Sequence, residues 1–312
     1  MVQTILGAGG SIGNELGKVL LDYTSDIRLV NRNPKRVNST DILFPADLTN
    51  KDDLFRSVKG SGITYVTIGF PYKTKVWKEN WVPFIKNVIA ACLEYKSKLV
   101  FFDNVYAIGR DNIKHMTENS PISPTSLKGE VRAEVDRLIL KSIEKDNLQA
   151  IVARAPDFFG GSIKANSILM NLVYNNLVKG KKPQWFCNSK VIHTMGYVPD
   201  LAKGTAILGN SPEAYNQIWN LPTDSEKITG EEWINLFATA MNTNKHYYTL
   251  PNWLLKTVGH FDSVMKELAE MNYQFDRDYF FDSSKFNSYF NFTPIKNADA
   301  VKQAIEQMSK PN

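Results

Sequence analysis

Short apolar runs punctuate the first half of the chain, each bounded by Gly, Asp or Pro and each followed by helical spacing: QTIL at 3–6, IRLV at 27–30, TYVTIG at 64–69, KLVFFD at 98–103 and QAIVARA at 149–155. Runs without polar alternation, separated by helices, are what a parallel sheet covered on both faces requires. The intervening segments carry one-sided stripes: Ile12, Leu16, Val19 and Leu20 in the first, and Trp81, Phe84, Ile85, Val88, Ile89 and Cys92 in a later one. Right-handed crossovers between such units predict an α/β fold of Rossmann type. This is a doubly wound parallel sheet whose ligands sit beyond the carboxyl ends of its strands.

After about residue 160 the pattern becomes mostly helical with aromatic-rich connections. It includes the stripe Trp233, Phe237, Met241 and a longer one through Leu254, Leu255, Val258, Phe261, Val264, Met265 and Leu268. A strand is expected at about 191–198, with Pro199 and Asp200 opening a helix, and another at about 217–221. The predicted organisation is a dinucleotide-binding domain over 1–160, to which 191–221 returns in part, and a smaller, mostly helical substrate lobe over 161–190 and 222–312.

Composition narrows the chemistry. A chain of 312 residues that is 43% hydrophobic can bury a large core, and a formal charge of +5 is too mild to imply a nucleic-acid surface. Cys92 and Cys187 lie far apart in apolar stretches, and His115, His246 and His260 lack metal-ligand spacing, so neither a disulfide framework nor a metal site is expected. No apolar run approaches the roughly 18 residues of a membrane span. The expectation is a soluble, cytoplasmic protein with a small-molecule partner and no nucleic-acid or membrane partner.

Gly7, Gly10 and Gly13 follow the first strand directly and open the first helix. Glycines there let the backbone turn tightly, approach a pyrophosphate and pack helix on strand, while the helix start at Ser11 and Ile12 supplies unpaired N–H groups to the anion. Gly69, Phe70, Pro71 and Tyr72 end a later strand and should line the nicotinamide side of the cleft, where Tyr72 offers a phenol for acid/base work or for packing. After the second strand the chain reads LVNRNPKR. No acid is present to hold both ribose hydroxyls; Arg32, with Arg36 or Lys35 nearby, would instead meet a 2′-phosphate, which predicts NADP in preference to NAD.

The spacing of the three glycines resembles that of the short-chain dehydrogenase/reductase superfamily in its extended NAD(P)-dependent epimerase/dehydratase branch. Further segments are similar in order along the chain: Ala46, Asp47 and Leu48 resemble the Asp-Leu that borders the adenine, FFDNVYAIG the strand ending in Val-Tyr-Gly, RAPDFFGG the Arg…Asn-x-Tyr-Gly-Pro segment, and HTMGYVPDLAKG the Tyr-Val-x-Asp-x-Ala stretch. The resemblance implies a nicotinamide cofactor and a substrate such as a nucleotide sugar. By analogy it also implies homodimers formed through paired helices.

The departures concern the chemistry. Family members head a helix with Tyr-x-x-x-Lys, the phenol moving the proton as hydride moves. Threading Pro124 onto the proline before that tyrosine puts Thr125 and Gly129 at the two positions, and Lys128 falls one residue out of register, about 100° around the helix. Thr125 is then a cap or a substrate contact. Arg132 could hold a phosphate or carboxylate, or pair with Asp136. The family's dehydratases place an Asp-Glu acid/base pair before Val-Tyr-Gly; Asp103 matches the acid, whereas Asn104 cannot be a base. Asp157, where the family carries Asn, faces the substrate, and His193 is either a substrate-side proton carrier near neutral pH or a structural histidine without an obvious carboxylate partner. Two readings stand. One is an NADP-dependent oxidoreductase, epimerase or dehydratase with noncanonical proton transfer; the other is an NADP(H)-binding sensor without catalysis.

Overall fold

The structure, a computed structural model, describes residues 1–163, 167–254, 267 and 269–309. Leu255, Val258, Phe261, Val264, Met265 and Leu268 of the long stripe, and His260, lie outside the described residues. The chain forms two compact units, Met1–Ala107 with Lys128–Ala155 and Leu201–Leu221, and Ile108–Leu127 with Pro156–Asp200 and Pro222–Asn312.

In chain order the elements are β1 (Gln3–Leu6), α1 (Ser11–Val19), β2 (Ile27–Asn31), β3 (Ile42–Pro45), α2 (Lys51–Val58), β4 (Ile63–Val66), α3 (Thr74–Tyr95), β5 (Lys98–Asn104), α4 (Leu127–Asp146) and β6 (Ala150–Ala155). There follow β7 (Phe158–Phe159), α5 (Asn175–Val178), β8 (Gln184–Phe186), β9 (Gly196–Tyr197), α6 (Val198–Asn210), β10 (Gln217–Asn220), α7 (Gly230–Ala240) and β11 (Tyr248–Leu250).

In the first unit, seven strands pair in the order β10-β6-β5-β4-β1-β2-β3. Every pairing is parallel. This is the doubly wound arrangement, and its strand order reverses between β1 and β4, the place where sheets of this kind bind their ligands. All residues of β1, β4 and β6 are buried, so their apolar runs are covered on both faces. Beneath the carboxyl ends, Trp81, Phe84, Ile85 and Val88 of α3 pack with Val131, Val135 and Ile139 of α4 and with Phe101 of β5 in one core. Strand β3 escaped the sequence pattern because it is an edge strand with mostly exposed residues, where a proline is tolerated.

In the second unit β7 pairs with β9 and β8 with β11. Helix α7 starts with a capping box in which the Thr229 hydroxyl accepts from the Glu232 N–H and the Glu232 carboxylate accepts from the Thr229 N–H. It buries Trp233 and Phe237, and Phe159 meets Trp233 edge to face at 5.1 Å. The strand expected over 191–198 is shorter than its sequence suggests. Only Gly196 and Tyr197 form a strand, while Ile192 and His193 make isolated bridges. No helix among the described residues is long and apolar enough to cross a membrane.

Candidate active site

The glycine loop is closed by sterics from below. Gly7 adopts φ +100°, and a Cβ there would lie 2.5 Å from the Ile68 backbone nitrogen; a Cβ on Gly13 would lie 2.9 Å from the Gly7 carbonyl oxygen and 3.0 Å from Thr67 Oγ1. A Cβ on Gly10 would meet only that carbonyl, at 3.6 Å, so glycine at 10 leaves space above the loop rather than below it. Gly10 is also the N-cap of α1. It contributes no side-chain cap, and the first turn carries no acidic residue, so no carboxylate at the helix start opposes an anion. Gly9, absent from the sequence-based expectations, has φ +104°, and its N–H donates to Asn14 Oδ1 at 3.0 Å.

At the end of β2, where family members holding NAD carry an acid, stands Asn31. Its Nδ2 donates to the Ala8 carbonyl and its Oδ1 accepts from the Asn33 N–H at 2.6 Å, so the amide fastens the glycine loop to β2. Arg32 is exposed beside it. Asp47, also exposed, is held below the usual carboxylate range chiefly by the N–H and hydroxyl of Thr49, with the positive charge of Arg32 adding to the effect. Arg36 differs from Arg32: its Nη1 donates to the Ser39 and Asp41 carbonyls at 2.7 and 2.9 Å and shapes its own loop. Leu48 is buried in the core. Gly69 is exposed, with open space where a Cβ would project.

Beyond β4 and β5 lies an aromatic group. The hydroxyls of Tyr72 and Tyr106 are 3.2 Å apart, and Trp77 stacks on Tyr106 at 6.0 Å and meets Tyr72 edge-on at 5.7 Å. Asn104 Oδ1 accepts from the Tyr106 N–H at 3.0 Å, a turn that fixes where Tyr106 leaves the strand. Lys128, fully buried, sets its Nζ 4.6 Å from the centre of the Tyr72 ring and donates to Thr74 Oγ1 at 3.1 Å. It is out of register, yet the start of α4 at Leu127 directs it onto Tyr72.

Two expectations are corrected. Asp103 is not presented as a general acid. It is 1% exposed and accepts from Arg132 through Nε at 2.7 Å and through Nη2. Arg132 is for the same reason not an anion holder, because its guanidinium is committed to Asp103 and lies over Trp81 and Phe101 at 4.3 and 4.8 Å. Asp136, the alternative partner of Arg132, instead accepts from Arg154 Nη2 at 2.8 Å, and Arg154 Nε lies 4.0 Å from Asp103 Oδ2. Burial first, and then the charge of Asp103, pushes Asp136 up to about 7.

The second unit holds the remaining candidates. His193 does have a carboxylate partner: its Nε2 lies 3.0 Å from Asp157 Oδ2. Its ring is fully buried and sandwiched between Phe275 at 4.5 Å and Tyr279 at 4.4 Å, both nearly parallel to it, which removes it from substrate contact and leaves it as the residue that positions Asp157. Asp157 keeps a partly exposed side chain, and its N–H donates to the Tyr279 hydroxyl at 3.2 Å. Thr125 precedes α4, is exposed, and its Oγ1 accepts from the Arg110 N–H at 3.2 Å.

Residues 4–221 match the NAD dependent epimerase/dehydratase family. No curated protein matches the chain by sequence. Among solved structures, the dTDP-glucose 4,6-dehydratase DesIV of Streptomyces venezuelae with NAD and TYD bound aligns with TM-score 0.80 at 15% identity, covering 98% of this chain and 96% of that one. The UDP-glucose 4-epimerase of Thermus thermophilus in complex with NAD aligns with TM-score 0.76 at 16% identity over 99% of both chains. The UDP-N-acetylglucosamine 4-epimerase of Bacillus cereus gives TM-score 0.77 at 16% identity over 100% and 98%. At these identities the likeness is one of fold.

Proposed function

Because this chain belongs to the NAD dependent epimerase/dehydratase family, we propose that it binds a nicotinamide dinucleotide over the ends of β1, β2 and β4 and oxidises or rearranges a hydroxyl-bearing substrate such as a nucleotide sugar. The observation that carries this reading is the glycine loop. Gly7 and Gly13 leave no room for side chains, a Cβ at Gly10 would meet only one carbonyl, and the first turn of α1 carries no acid, which suits a pyrophosphate. The dinucleotide supplies the hydride acceptor when bound; Ser11, Ile12 and Gly69 border it, and Asp47 lies toward its adenosine end. Arg32 favours NADP. It directly follows Asn31 at the end of β2, where no acid is present to hold a ribose diol, it is exposed, and a guanidinium–phosphate contact is charge-assisted. Tyr72 is the acid/base group of this reading.

The test is calorimetric titration with NADP and NAD, followed by incubation of the loaded protein with UDP- and dTDP-hexoses and product analysis. Tighter binding of NADP and a changed sugar support the reading, and equal affinities overturn the NADP assignment. A second reading, a dinucleotide sensor without chemistry, draws support from Asp103, whose carboxylate is committed to Arg132. Under that reading binding persists and no sugar is changed.

A further inference from the structure

Three side chains from separate elements meet in the first unit above the carboxyl ends of β4 and β5: Tyr72 from the loop entering α3, Tyr106 from the loop leaving β5, and Lys128 from the first turn of α4. We propose that they form the proton-handling group of the site, with Tyr72 exchanging a proton with the substrate hydroxyl, Tyr106 as the second phenol of the relay, and the Lys128 ammonium favouring the ionised state of Tyr72. The proposal rests on the function proposed above and assigns its chemistry to residues outside any Tyr-x-x-x-Lys pattern; no tyrosine of this chain has a lysine four residues on.

The geometry supports each role. Two hydroxyls at 3.2 Å share one hydrogen bond, so when Tyr72 ionises Tyr106 donates to it, and a bond to a charged acceptor is roughly twice as strong as a neutral one. The ammonium is 4.6 Å from the ring into which the phenolate charge is delocalised. It is fully buried, so little water screens it, and Thr74 fixes its position. Both tyrosines are only partly buried. Other phenols of this unit are disposed the opposite way: burial pushes Tyr65 and Tyr215 up, and their hydroxyls donate to Gln3 Oε1 and the Gly209 carbonyl. Around Tyr72, the loop and α3 contribute the exposed Lys73 and Lys75, β5 and its loop contribute Tyr106 and the paired Asp103, and α4 contributes Lys128 and the paired Arg132.

In the oxidative direction the substrate O–H bond breaks and its proton goes to the Tyr72 phenolate oxygen. The C–H bonding pair leaves with its hydrogen to the oxidised dinucleotide, so a carbonyl forms and charge is conserved. The proton on Tyr72 then returns to solvent through Tyr106.

The test begins with the dinucleotide-free protein. Tyrosinate absorbance is titrated for the parent, Tyr72→Phe, Tyr106→Phe, Lys128→Met and Lys128→Arg. The proposal expects one tyrosinate step to vanish in Tyr72→Phe. That step should move to higher pH by about one unit or more in Lys128→Met and Tyr106→Phe, and return toward the parent position in Lys128→Arg. With NADP and a turned-over sugar, Tyr72→Phe should lose roughly 10²–10⁴-fold in kcat with little change in KM. A step that ignores Lys128→Met in the folded protein, or Tyr72→Phe with parental kcat, overturns the proposal. If Lys128→Met does not fold, Tyr106→Phe and Lys128→Arg decide the same question. A parent that binds no dinucleotide sinks the proposed function, and the titration still decides whether the phenol and ammonium are coupled.

Discussion

Arg154 Nη2 donates to Asp136 Oδ2 at 2.8 Å with neither side chain reaching solvent, and a strand away Arg132 grips Asp103 in the same way. The two pairs adjoin because β5 and β6 set Asp103 directly opposite Arg154. Two guanidinium groups and two carboxylates therefore share one enclosed space. Removing one member leaves another charge unpaired, and Asp103→Ala is expected to cost about 3–5 kcal/mol, read from the urea midpoint.

The same four groups give a pH dependence. Asp136 is raised from 3.8 to about 7 in the folded chain, by burial first and by Asp103 next. Between those values the native state holds a proton that the unfolded chain has released, so this group's contribution is fully present below 3.8 and is lost as pH rises through about 7. Comparing stability across that range in the parent and in Asp136→Asn should show the fall in the parent and a flatter curve in the variant. Equal slopes would contradict it.

Arg32→Ala should narrow the preference for NADP over NAD by roughly tenfold, about 1.4 kcal/mol, while leaving the NAD affinity nearly unchanged. Calorimetry on both dinucleotides measures the ratio. The exposed position of Arg32 means that the melting temperature should barely move.

Gly7→Ala combines a left-handed backbone with a Cβ 2.5 Å from the Ile68 nitrogen, so something must shift. A loss of about 2–3 kcal/mol in stability and weakened dinucleotide binding are expected. Chemical denaturation and titration on the same sample separate the two effects.

Two variants at His193 distinguish packing from hydrogen bonding. His193→Phe keeps a ring between Phe275 and Tyr279 and loses only the bond to Asp157, at an expected cost of about 1–3 kcal/mol. His193→Ala opens a cavity as well and should cost about 3–5 kcal/mol. If the two fall equally, the stacked rings contribute nothing.

The five strand-forming apolar runs and the glycine loop could be read from the sequence because burial on both sheet faces and steric closure each leave a local signature. Strand β3 carried no such mark, since an edge strand needs no continuous apolar run. The partners of Asp103 and Arg132 were hidden because β-sheet register and helix placement, not spacing along the chain, bring them together. Thr125 lies before α4, which begins at Leu127, so helical spacing counted from Thr125 does not give the direction of Lys128. The Asp157 partner of His193 comes from a segment 36 residues earlier in the chain, a separation no local pattern could reveal.

The end of β3 also limits how copies of the protein can associate. Asn31 pairs with Pro45, and the Ala46 N–H donates inward to the Asn31 carbonyl, so alternation turns the nitrogen of Pro45 toward the open margin of the sheet. That nitrogen has no hydrogen to donate. An incoming strand would find Ile42 and Leu43 exposed and inviting, but one rung beyond Leu43 the ladder is missing. The β3 margin of the sheet is thereby blunted against edge-to-edge pairing.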